Sequence, residues 1–177
     1  MKSGDGHVYL MGFMGSGKTR VGRILADFLR RPFIDTDAHI EEETGLSINA
    51  LFEKKGEAGF REIERNVIRC LADTRRCVIS LGGGSVIHPE NWEAIVRSGT
   101  TIALSYPPEI LAGRLERKKD RPLLNQAGDH QRMEIIRTLM TEREPYYRRA
   151  DLVLHLNREI DPEAVADMIR RYVEALP

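Results

Sequence analysis

One stretch near the start of the chain, Gly12 to Thr19 (GFMGSGKT), limits the folds open to it more than any other feature. It satisfies G-x-x-x-x-G-K-[ST], follows the apolar run Val8-Tyr9-Leu10-Met11 and precedes a helix-like pattern, so strand, loop and helix stand in the order a phosphate-binding loop requires. Glycines let successive N–H groups approach phosphate oxygens, and the following helix adds the positive end of its dipole. Gly12, Gly15, Ser16 and Gly17, with Arg20 just beyond, are therefore candidate nucleotide contacts. Lys18 would place an ammonium on the outer phosphates of a nucleoside triphosphate, and the Thr19 hydroxyl would ligate the Mg²⁺ that bridges them.

The rest of the chain continues the same alternation. Apolar runs at Val8-Phe13, Phe33-Asp35, Val78-Leu81, Thr101-Ser105 and Leu152-Leu156 are separated by helix-like stretches, and several are apolar throughout. Continuous apolar strands belong to sheets covered on both faces, which predicts an α/β fold with a parallel sheet. Lys18–Arg30 repeats apolar residues at Val21, Ile24, Leu25 and Phe28, and Pro162–Leu176 does so at Val165, Met168, Ile169 and Val173; both read as amphipathic helices. Asp161, Pro162 and Glu163 form a consistent start signal for the second.

Charge and cysteine content narrow the class. At 177 residues the chain fits one domain, and 27 basic residues balance 27 acidic ones, so no global basic field argues for nucleic acid or an anionic membrane. No apolar run reaches the length of a membrane span, and the first residues lack a signal-peptide plan, which predicts a cytoplasmic protein. Cys70 and Cys77 have no metal-type partners and read as free thiols; the 5 histidines are scattered. Two stretches are less regular. Thr44 to Glu57 holds short helical turns broken by glycine and reads as a substrate-gripping insertion, while Arg121 to Gln131 reads as a mobile, phosphate-facing loop.

A phosphate loop names a nucleotide, not a reaction. Asp35 and Asp37 stand two apart at the end of the second strand, a spacing that projects both carboxylates to one face at the carboxyl edge of the sheet. One can hold the water shell of Mg²⁺ while the other accepts the proton of an attacking hydroxyl; the competing reading is a helix-capping pair ahead of His39-Glu43. Gly82-Gly83-Gly84 ends the third strand, where bare backbone admits a ligand or simply turns. Arg61 and Arg143 can each close a guanidinium fork on a carboxylate, but nothing in the sequence brings them together.

The series GSGKT, FIDTD, GEAGFREIE, SLGGG, DRPLL and REPYYRRAD, in this order and at these separations, resembles the bacterial shikimate kinases from about residue 8 to 170. That resemblance implies transfer of a phosphoryl group from MgATP to the 3-hydroxyl of shikimate, on the route to chorismate and the aromatic amino acids. It implies a three-layer α/β/α sandwich with a five-stranded parallel sheet in the order 2-3-1-4-5, as one domain with a substrate-binding insertion at about 38–64 and a lid at about 118–131. Site roles carry over by motif. Lys18 and Thr19 match the phosphate and magnesium residues, Asp35 the second magnesium-associated aspartate, and Asp37 the candidate base on the ring hydroxyls. Arg61 and Arg143 match the pair on the shikimate carboxylate, with Gly82, Gly83 and Gly84 along the ring and Glu64 orienting the clamp. Arg121 matches the lid arginine on the transferring phosphate, while Arg114, Arg117 and the stretch from Asn157 to Pro162 resemble the segments around adenine. A monomer is expected. The competing assignments are an aminoshikimate kinase, another small-molecule kinase acting on gluconate or a nucleoside monophosphate, and a nucleotide-binding regulator without catalysis.

Overall fold

The structure is a computed structural model that describes residues 4–74, 76–116 and 129–177. Its centre is β1 (His7–Gly12), flanked by β3 (Val78–Ser80) and β4 (Gly99–Ser105), with β2 (Phe33–Asp35) and β5 (Leu152–His155) at the edges. All neighbouring strands are parallel, in the order β2-β3-β1-β4-β5 implied by the resemblance. Register is fixed by pairs such as Leu10 with Ser80 and Gly12 with Leu104, so β3 ends two residues short of β1 and β4 runs one residue beyond it.

Sequence alternation explains the layers. Val8 and Leu10 enter one buried cluster with Leu25, Ile102, Val165 and Ile169; Tyr9 and Met11 enter a second with Ile40, Phe60, Ile68 and Ile95. Adjacent residues of β1 thus face opposite helical layers, which is why every residue of the strand is buried. Helices α1 (Lys18–Leu29) and α7 (Pro162–Glu174) pack together on the first face, where each buried Val, Leu or Ile contributes about 1.5–3 kcal/mol. Asp161 caps α7 by accepting from the Glu163 N–H at 2.8 Å, with Pro162 in the first turn. The periodic stripes overreach at two positions: Phe28 and Met168 remain 42% and 40% exposed. Spacing selects a helix face, but not where the covering neighbour stops.

The stretch after β2 is more helical than expected. Helix α2 (Thr36–Thr44) ends at Gly45, whose φ of 66° turns the chain, and Ser47 caps α3 (Ile48–Ala72) through the Ala50 N–H. Glycine breaks the regularity at Gly45 and again at Gly56, yet α3 resumes beyond that kink and runs on to Ala72. A short 3₁₀ turn (Ser85–Ile87), α4 (Pro89–Ser98), α5 (Pro108–Glu116) and α6 (Asp129–Tyr147) complete the described helices. Of the expected lid at 118–131, residues 118–128 lie outside the described residues. Cys70 is exposed and Cys77 buried, both as free thiols, and no described helix is long and apolar enough to cross a membrane.

Candidate active site

The loops after β1 and β3 meet because those strands are neighbours: the Leu81 N–H donates to the Leu10 carbonyl at 3.0 Å. The first loop turns through Gly15 and Gly17, at φ 80° and 88°, a region closed to most side chains, and Gly17 opens α1. Lys18 folds back over the loop, its Nζ donating to the carbonyls of Gly12 at 2.9 Å and Phe13 at 3.1 Å. Ser16 is buried with its Oγ lacking any described hydrogen-bond partner. Such an orphan hydroxyl at a helix N-terminus is a demand that a phosphate oxygen satisfies.

Beside this cradle, the Thr19 Oγ1 donates to the Asp35 Oδ2 at 2.7 Å. The other Asp35 oxygen accepts from the N–H groups of Asp37 (3.1 Å) and Ala38 (3.4 Å), so Asp35 also caps α2. The strand-spacing argument for the aspartate pair therefore fails in its geometry: β2 ends at Asp35, and Asp37 stands in the first turn of α2. The cap starts the helix one residue after the strand, and it is the helical turn that sends Asp37 towards Gly82. Among the described residues no group of 3 or more His, Cys, Asp or Glu side chains could hold a metal. The hard oxygens of Thr19 and Asp35 suit Mg²⁺, which keeps much of its water and takes few protein ligands.

On the nucleotide side, the Arg114 guanidinium lies 4.1 Å from the Tyr106 ring centroid and donates to the Gly15 carbonyl at 3.1 Å. Glu159 accepts from the Arg114 Nε at 3.1 Å and also pairs with its Nη2, which ties α5 to the segment between Asn157 and Pro162. That hydrogen bond is the main reason the Arg114 pKa is raised. Arg20 and Asn157 are exposed, Pro162 is half-buried, and Arg117 and Arg121 lie outside the described residues.

The triple glycine gathers the remaining candidates. A Cβ on Gly82 would stand 2.7 Å from the Asp37 Oδ1, 3.0 Å from the Ser85 Oγ and 3.3 Å from the Glu64 Oε1. One on Gly83 would stand 3.1 Å from the Arg143 Nη1, and one on Gly84 would stand 3.0 Å from the Arg61 Nη2. The two arginines, distant in sequence, thus border adjacent residues of one loop. Arg61 is held by the buried Glu64 at 3.0 Å, with the exposed Glu57 at 3.4 Å, and its buried Nε has no partner among the described residues. Glu64 in turn accepts from the Ser85 hydroxyl at 2.7 Å. Arg143 lies over the Phe13 ring at 5.5 Å and forms no ion pair with a described carboxylate. Two guanidinium groups beside open glycine backbone, one of them without a counter-ion among the described residues, make a site for an anion.

Sequence reasoning missed two residues here. Ser85 directly follows the glycines and supports Glu64; Tyr147, one helical turn after Arg143, donates to the Gly83 carbonyl at 2.7 Å. The i, i+4 spacing of Arg143 and Tyr147 was a usable signal.

A family model described as shikimate kinase matches residues 14–174. The shikimate kinase of Synechococcus sp. (strain JA-3-3Ab) is 43% identical over 163 residues, covering 92% of this chain and 84% of that protein. Among solved structures, the shikimate kinase of Bacteroides thetaiotaomicron superposes with a TM-score of 0.91 at 35% identity, over 96% of this chain and 99% of that one. The Acinetobacter baumannii shikimate kinase, solved in complex with shikimate, gives 0.88 at 36% identity over 96% and 93% of the two chains. With its phosphate loop, its aspartates and its two arginines on one sheet edge, the chain belongs to the shikimate kinase family.

Proposed function

We propose that this protein transfers the γ-phosphoryl group of MgATP to the 3-hydroxyl of shikimate, giving shikimate 3-phosphate and ADP. The observation that carries the reading is the convergence of Arg61 and Arg143 on Gly83-Gly84, with Asp37 against the preceding Gly82. Shikimate is a ring with one carboxylate and several hydroxyls, and these groups offer a fork for the anion and a carboxylate for the hydroxyls.

When bound, MgATP supplies the phosphoryl group and a metal charge that offsets the charge on the phosphates. The protein's part is positioning and charge. Lys18 leaves its two loop carbonyls for phosphate oxygens, and the N–H groups of Gly12, Gly15, Ser16 and Gly17 surround them. Thr19 and Asp35 hold the metal's coordination shell, and Arg114 with the Asn157–Pro162 segment borders the base. Arg61 and Arg143 clamp the substrate carboxylate, Glu64 holds Arg61 in place, and Gly82, Gly83 and Gly84 let the ring approach the backbone. Asp37 accepts the proton of the 3-hydroxyl as its oxygen bonds to phosphorus and the bond to the ADP oxygen breaks. The segment at about 38–64 acts as the substrate-binding insertion of one domain. One chain supplies all of these groups, which supports a monomer as the working unit, and cysteines without a disulfide suit a reducing cytoplasm.

Two measurements test this. ADP release is expected with shikimate and not with gluconate or AMP; turnover of either of the latter at a comparable rate sinks the assignment. Arg61→Ala and Arg143→Ala should each weaken shikimate by about 30-fold or more, the effect of breaking a desolvated charge pair. An analogue without the carboxylate should bind wild type weakly and be indifferent to both changes. Equal losses for shikimate and that analogue would mean that the arginines support the fold rather than the anion.

A further inference from the structure

Arg61 and Arg143 reach the acceptor site from separate elements, α3 and α6, so something must hold α6 at the right distance from the glycine loop. Tyr147 is placed to do so. It follows Arg143 by one helical turn, its hydroxyl donates to the Gly83 carbonyl at 2.7 Å, and its ring packs against both apolar clusters of the protein. Burial pushes its pKa up to about 12, with the nearby Arg143 pulling the other way, so the hydroxyl keeps its proton and stays a donor at physiological pH.

The carbonyl it holds belongs to the planar Gly83-Gly84 peptide. Anchoring that oxygen on Tyr147 aims the Gly84 N–H to the opposite side, and among the described residues neither the Gly83 nor the Gly84 N–H finds an acceptor. Glycine backbone has little stiffness of its own, so an outside contact has to set this plane. Arg143 lies 3.1 Å from the position of a Gly83 Cβ, within the same group of atoms.

We infer that Tyr147 is a positioning residue of the acceptor site, whose hydroxyl fixes the Gly83-Gly84 peptide and the distance from it to Arg143. The inference rests on the reading of Arg143 as a carboxylate ligand. It deepens that reading by naming what presents the anion site as one unit.

The test is Tyr147→Phe, which keeps the ring and removes only the hydrogen bond. The KM for shikimate should rise about 3- to 10-fold, the scale of one net hydrogen bond, while kcat changes less than about twofold and the KM for MgATP stays put. The carboxylate-free analogue should bind wild type and variant alike. Combined with Arg143→Lys, the two changes should be non-additive in shikimate affinity, because they act on one arrangement. A variant with a lower melting temperature but an unaltered KM for shikimate overturns the inference, as does additivity with Arg143→Lys or an equal loss for both ligands. Failure of the underlying reading shows separately, as wild type that does not phosphorylate shikimate or Arg143→Ala that leaves its affinity unchanged.

Discussion

Gly82 separates the demands of stability from those of chemistry at a single position. Its φ is not in the left-handed region, so alanine there meets no backbone strain; the difficulty is three oxygens, with the Asp37 Oδ1 at 2.7 Å from the added carbon. These atoms are side-chain ends and can shift at small cost to the fold. For the reaction the shift matters more, since a displacement of about 1 Å in a reacting group can cost about 100-fold in rate. Gly82→Ala should therefore keep a near-native melting temperature and normal MgATP affinity while kcat with shikimate falls by about two orders of magnitude. Unchanged kcat in a folded variant would remove Asp37 from the reacting hydroxyl. Gly12 makes the contrast: its Cβ would meet the Leu104 carbonyl at 2.6 Å, backbone that cannot step aside.

Between elements, close approach decides where α1 sits, and with it Lys18 and Thr19 at its start. Gly22 is inside α1, where glycine costs about 0.5–1 kcal/mol relative to alanine, so propensity alone favours Gly22→Ala. Packing opposes it. The added Cβ would lie 2.5 Å from the Phe33 Cε2 and 3.1 Å from the Leu10 Cδ1, and overpacking of this kind costs about 1–3 kcal/mol. Packing should win, giving net destabilisation of about 1–2 kcal/mol in urea unfolding; a more stable variant would mean that α1 stands farther from β2 than described. The same contest governs what was legible in the sequence. The phosphate loop and the Asp161 cap are local and could be read directly, and the continuous apolar runs marked strands covered on both sides. The sequence offers both a strand pair and a helix cap for Asp35 and Asp37, and only the backbone geometry decides that Asp35 caps α2 immediately and takes Asp37 off the strand. The meeting of Arg61 with Arg143 depends on β3 lying between β2 and β1, an order that no local pattern encodes and that came from the resemblance alone.

Across the whole molecule, the two ends of the sheet differ in how completely their polar groups are satisfied. The carboxyl edge carries unmet ones, among them the Ser16 Oγ and the Arg61 Nε, which a ligand can complete. At the opposite edge the buried Thr100 Oγ1 finds no partner among the described residues, but the chain ends and His7 close their bonds. Arg31 donates to the carbonyls of Gly4 (2.5 Å) and Gly6 (2.9 Å), and the Gly4 N–H reaches the Pro177 carbonyl at 3.0 Å. His7, 2% exposed, accepts from the Cys77 N–H on Nδ1 at 3.2 Å, which leaves the Nε2 proton to donate to the Thr74 carbonyl at 3.0 Å. Only the neutral ring fits both contacts, because a proton on Nδ1 would face another donor. Desolvation by burial accordingly lowers the His7 pKa, against the raising effect of the Thr74 carbonyl. The sign follows. The unfolded chain takes up the proton first as pH falls below the ordinary 6.5, so the contribution is whole above that value, is lost as pH drops towards the lower folded pKa, and then levels off. One such group can tilt stability by at most about 1.4 kcal/mol per pH unit. Unfolding free energies from urea titrations at pH 8, 7, 6 and 5 should fall more steeply for wild type than for His7→Gln, which keeps a donor and an acceptor but does not titrate. Parallel slopes for the two proteins would show that His7 is not held neutral by the fold, and that the acid sensitivity of this molecule lies among its carboxylates.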